Sequence, residues 1–156
     1  IRVLIAAAQL SNTGLKYVRV TFDAGAGQAL TISSAYIGQA ADSGDVYDFQ
    51  TTPSQLKFSG GSGFALSAGA TIVSDQLTFS IPTGKNLIVS YHVSGDAAHD
   101  TTRGKATQTG WSNYWKLANE PATVNTTGYA LSSSKATASV RLIEVAGEDG
   151  NFFIVF

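Results

Sequence analysis

Apolar and polar residues alternate with a period of two along much of the chain, the pattern of half-buried β-strands. Ile1, Val3 and Ile5 alternate with Arg2 and Leu4, and Val18, Val20 and Phe22 lie opposite Tyr17, Arg19 and Thr21. Leu30 and Ile32 resume the pattern after a turn at Gly25–Gly27. Leu56 and Phe58 alternate with Gln55, Lys57 and Ser59, and Leu77, Phe79 and Ile81 make a further set. The clearest run is Leu87, Val89, Tyr91 and Val93, which puts His92 on the polar face. Between Val140 and Val145 the phase slips, and a slip of one residue within a strand predicts a bulge. The segment Asn151–Phe156 is β-prone and almost wholly apolar, so it must be covered by its own domain or by a neighbour.

Gly, Ser, Asn and Asp clusters punctuate these runs, at Ser11–Gly14, Ser43–Asp45, Ser59–Gly63, Pro82–Gly84, Ser94–Asp96 and Gly147–Gly150. About eight or nine strands at such spacing predict an all-β fold, a single β-sandwich of jelly-roll type. No linker or internal repeat divides the chain, so residues 1–156 are expected to form one domain. Residues 98–135 depart from the pattern. They are polar, contain both tryptophans and predict a long loop, with a short helix or more loop over Tyr114–Asn119.

Composition narrows the function classes. A chain of 156 residues with 44% hydrophobic content suits one core. Charged residues make up only 13%, and 17 Ser and 16 Thr supply the polar surface instead. A formal net charge of −1 gives no field to attract nucleic acid or an anionic membrane. No apolar run reaches the roughly 18 residues of a membrane helix. No signal peptide is recognisable, and a first residue of Ile rather than Met is expected of a trimmed, processed or partial start. The absence of cysteine removes disulfides, thiolate zinc ligands and thiol catalysis. No cofactor is expected.

Three groups of residues carry candidate chemistry. Trp111, Tyr114 and Trp115, with Asn113 and Lys116 beside them and Gln108 and Asn119 nearby, are candidates for core packing, for a protein interface or for a glycan platform. Asp42, Asp45 and Asp48 share one Gly-containing loop. They are candidates for calcium, which prefers clustered carboxylates, or for turns in which Asp accepts backbone N–H bonds. His92 and His99, the only histidines, lack the short fixed spacing of a zinc site, and His99 lies beside Asp96 and Asp100. Asn125-Thr126-Thr127 matches a glycosylation sequon, a tripeptide common by chance.

The runs Val18–Phe22, Leu30–Ile37, Leu56–Gly61, Ala68–Asp75 and Leu87–Tyr91 together resemble the β-sandwich accessory domain found beside some GDSL-type (SGNH) esterases. Their most distinctive piece is the small-Gly turn that leads to Ser74-Asp75. Gly38–Phe49 and the Trp-x-x-Tyr-Trp region are similar to β-domains of bacterial and phage surface or tail proteins. These resemblances imply a sandwich carried on something larger. The esterase nucleophile does not carry over, because Gly44-Asp45 is followed by Val46 where the motif needs serine. Asp96 and His99 match the spacing of the family's Asp-x-x-His without the serine motif.

The expectation is a non-enzymatic structural or surface-display domain, extracellular or on a virion as a decoration or appendage protein. It would self-associate or sit on a scaffold protein. The rival is a carbohydrate-binding module that recognises surface polysaccharide through Trp111, Tyr114 and Trp115.

Overall fold

The computed structural model describes residues 1–10, 15–81, 83–94, 111–131 and 139–155. Among them, twelve short strands form: β1 (Arg2–Ile5), β2 (Tyr17–Asp23), β3 (Leu30–Gln39), β4 (Ser54–Leu56), β5 (Phe64–Leu66), β6 (Thr71–Val73), β7 (Leu77–Thr78), β8 (Leu87–Val93), β9 (Trp111–Trp115), β10 (Ala130–Leu131), β11 (Val140–Ala146) and β12 (Phe152–Val155). They make two antiparallel sheets. One has the order β10-β9-β1-β8-β3-β4, with β5 also on β3, and the other has the order β12-β11-β2-β6, with β7 also on β2. The sheets pack face to face as a β-sandwich. These strand orders define a sandwich without defining a jelly roll.

The alternating pattern explains which face each strand buries. Val3 and Ile5 of β1, Val18, Val20 and Phe22 of β2, and Leu87, Val89, Tyr91 and Val93 of β8 all point between the sheets. Each such side chain contributes about 1.5–3 kcal/mol on leaving water. Phe22 is central: its ring lies edge-on to Phe58 (5.7 Å between centroids) and Tyr91 (5.3 Å) and tilted against Phe64 (5.4 Å). The predicted slip in β11 is a register shift against β2 between Val140 and Leu142.

Two expectations need correction. More strands form than the eight or nine the pattern announced, because several are only two or three residues long. The 98–135 stretch is not one loop, since β9 pairs with β1 and β10 with β9. The Trp111–Trp115 segment is a strand, with Tyr114 and Trp115 in the ladder where a helix was an option.

The Ser74-Asp75 turn acts as a clamp. Ser74 Oγ accepts the Val20 N–H (3.0 Å) and donates to the Asp75 carbonyl (3.1 Å). The Asp75 carboxylate accepts the amides of Ser59 (2.9 Å) and Gly60 (2.8 Å). Those two residues sit in the left-handed region, at φ 51° and 81°, and the carboxylate holds that turn against β2. Ser74 is buried, so Ser74→Ala leaves the β2 amide short of its acceptor. A loss of about 1–3 kcal/mol is expected, read as a lower urea midpoint.

The first sheet is covered on its outer side as well. Phe49 and Ala40 pack on Ile88, with Leu4 and Val124 against them, as a second small core. Phe49 lies so close over β3 that a Cβ on Gly38 would meet its ring at 2.7 Å. A third layer, built from residues 40–50 and 116–129, therefore rests on this sheet and positions the candidate site.

Candidate functional site

Register fixes which side chains meet on the outer face of β1. Arg2 pairs with Ser90 and Tyr114, and Leu4 with Ile88 and Ser112, so these residues share that face. Arg2 is fully buried there. Its guanidinium lies between the rings of Phe49 and Tyr129, 4.6 and 5.1 Å from their centroids. Nη1 donates to the Tyr47 carbonyl at 2.5 Å, and Nη2 donates to the Thr123 carbonyl. The Asp48 carboxylate stands 3.7 Å from Nη1 and accepts the Thr126 N–H at 2.9 Å. A single cation thus ties residues 47–49 to residues 123–126.

These two segments border an open cleft of about 540 Å³. Gly44, Asp45 and Asp48 form one side, and Lys116, Glu120 and Asn125–Thr127 the other. Lys116 donates to Glu120 (2.5 Å), and Glu120 also accepts the Thr126 hydroxyl (2.6 Å). The Lys116 and Thr126 bonds hold the Glu120 carboxyl below its ordinary pKa. Tyr47 donates its hydroxyl to Asp45 (2.8 Å), which raises the Tyr47 pKa. Beside the cleft, the Tyr47 ring contacts Tyr114 and Tyr129 at 5.3 and 5.2 Å. Burial pushes the Tyr129 hydroxyl up.

No protein-family model and no curated protein matches this chain.

The sequence-derived candidates do not stay together. Trp111, Asn113 and Trp115 alternate with Ser112 and Tyr114, so they face the sandwich interior while Tyr114 faces the tyrosine cluster. Trp111 is 8% exposed and belongs to the core, Trp115 packs against that core, and Asn113 is buried. A flat Trp-Tyr-Trp platform on one face is therefore excluded by the pleat of β9. Lys116 reaches the cleft as Glu120's partner.

The three aspartates also diverge. Asp42 pairs with Lys85 (2.9 Å), Asp45 takes the Tyr47 hydroxyl, and Asp48 turns inward toward Arg2 and Thr126. Among the described residues no three His, Asp or Glu side chains gather around a metal position. Of the three, only Asp48 accepts a backbone N–H of a described residue through its side chain, and that amide belongs to Thr126 across the cleft and not to a local turn.

His92 is on the outer face of β8, as the alternation requires. Its Nδ1 is 2.7 Å from Ser33 Oγ across the β3–β8 pair, and burial lowers its pKa. Among the described residues no carboxylate orients that imidazole, as a nucleophilic triad would need. His99, Asp96, Asp100 and Gln108 lie outside the described residues. Asn125 of the sequon is on the surface, at the mouth of the cleft.

Arg2, Tyr47, Glu120 and Tyr129 of this site were not singled out as candidates by sequence, whereas Asp48 and Lys116 were, and Thr126 was named only within the sequon. One signal was present: Leu4 and Ile88 put apolar side chains on the face opposite the core, which marks a sheet covered on both sides.

Proposed function

We propose that this chain is a non-enzymatic structural module, displayed on the outside of a larger assembly and joined to its neighbours through sheet edges. The observation that carries this reading is β12. It is the terminal strand of the five-stranded sheet, paired with β11, and Ile154 on it is 59% exposed. Ile154 stands in one cross-strand row with Glu144 and Arg19, whose guanidinium bonds Glu144 (2.9 Å) and stacks 3.9 Å from the Phe152 ring centroid. The row places an apolar residue at the rim of a fixed surface. The other sheet ends similarly at β10, where Leu131 is 62% exposed. Among the described residues no strand pairs with the outer side of β12 or β10, and exposed apolar edges invite strand addition, which natural monomers usually prevent with charge, proline or a covering loop. A module of an extracellular or virion surface, as the resemblance in sequence implies, would use these edges to contact other copies or a scaffold.

Light scattering on the purified chain tests this directly. Wild type is expected at a multiple of the chain mass, and Ile154→Lys, with an unchanged circular dichroism spectrum, is expected to shift toward the single-chain mass. A wild-type protein that stays at the single-chain mass across the accessible concentration range sinks the proposal.

A further inference from the structure

We propose that the cleft between residues 44–48 and 116–127 is a binding site for a neutral saccharide. It is independent of the sheet edges and distinct from the tryptophans of β9.

Most polar groups around the cleft are already engaged within the protein. Lys116 and Glu120 neutralise one another, and Thr126 is spent on Glu120 and Asp48. Asp48 is balanced by Arg2 beneath it. Asp45 lines the cleft and gives one carboxylate oxygen, Oδ2, to Tyr47, and the exposed residues Asn125 and Thr127 complete the lining. The groups left facing solvent are thus a carboxylate acceptor, an amide that both donates and accepts, and a hydroxyl that does both. Vicinal sugar hydroxyls present the same mixture, each hydroxyl donating once and accepting elsewhere.

Charge decides against the main rivals. With Glu120 paired to Lys116 and Asp48 to Arg2, Asp45 leaves the cleft with one uncompensated negative charge, which disfavours phosphate, nucleic acid and anionic glycans. The side chains that line the cleft are all polar or charged, with Gly44 among them, so no apolar side chain offers a hydrophobic ligand a wall. The site is also held in shape before any ligand arrives. Arg2 fixes both walls from below, and the Phe49 amide bonds the Val124 carbonyl (3.0 Å) between them. Such preorganisation lowers the ordering cost of binding.

The test is amide chemical-shift mapping on the wild-type chain, with D-glucose, D-galactose, D-mannose and N-acetyl-D-glucosamine as probes, then maltose, cellobiose and lactose. At least one probe is expected to shift the amides of Gly44, Asp45, Asn125 and Thr127 with millimolar affinity. Asp45→Ala, and the double substitution Asn125→Ala with Thr127→Ala, are each expected to weaken that probe by about tenfold. All three residues are exposed, and an unchanged thermal midpoint confirms that each variant folds. If either variant fails to fold, the wild-type map decides alone. The proposal is overturned if no probe shifts these amides well above millimolar concentration. It is equally overturned if shifts centre on Trp111–Trp115, or if the folded variants bind as wild type does.

Discussion

Arg2→Ala is expected to lower the unfolding free energy by about 3–5 kcal/mol, the cost of removing one partner from a buried ion pair. Three consequences follow from one deletion. The Asp48 carboxylate loses its counter-charge, the Tyr47 and Thr123 carbonyls lose a charged donor, and the Phe49 and Tyr129 rings lose the plane between them. Urea titration gives the global loss. Hydrogen exchange gives its address: the amides of Ala41, Phe49 and Thr126, which bond Asp48, Val124 and Asp48 respectively, should exchange faster than those in the β2–β11 ladder. Arg2→Lys should recover little, because an ammonium cannot fork to two carbonyls and stack between two rings at once. A stability change under about 1 kcal/mol, or a loss spread evenly over both sheets, contradicts this account of the third layer.

Phe22→Ala is expected to cost a similar amount, about 3–5 kcal/mol, through a different mechanism. The deleted ring is fully buried and touches Phe58 and Phe64, which pack on each other around one turn, and Tyr91 of β8, so rings from two distant parts of the chain border the void. Protection should fall in both sheets together, the opposite of the localised pattern expected for Arg2. Since small domains have only about 5–15 kcal/mol in total, either variant should show a midpoint well below wild type. A Phe22→Leu variant, which refills most of the volume, should recover much of the loss.

The contrast between these two positions also explains what was readable in the sequence. Phe22 sits in a run whose alternation is strict, Val18, Val20, Phe22, and its burial follows from strand geometry alone. The same logic placed His92 on the outer face of β8 and located the bulge near Val140. It failed at β9 because the inward set there is Trp111, Asn113, Trp115: a buried amide interrupts the apolar series, and a tyrosine on the other face imitates it. It failed at Arg2 because a charged residue opposite a core face reads as solvated. Only the folding of residues 40–50 and 116–129 over that face, far away in sequence, turns it into an interior position. Pairings of that kind depend on where loops land, and alternation within one strand carries no record of them.

The third layer has a consequence for how this protein can vary. Both of its loops are anchored at their bases through Arg2, while Gly44 has open space around it and Val46, Leu117 and Ala122 are exposed. Chain length at such tips is thermodynamically inexpensive, since doubling a loop adds only about 0.6 kcal/mol of closure entropy. The anchor and the variable part are therefore separable. Lineages descended from one such sandwich, or libraries built on it, can diversify at Ser43 and near Ala122, with Gly44 kept for its φ of 90°, while Arg2, Phe49 and Tyr129 keep the two loops facing each other.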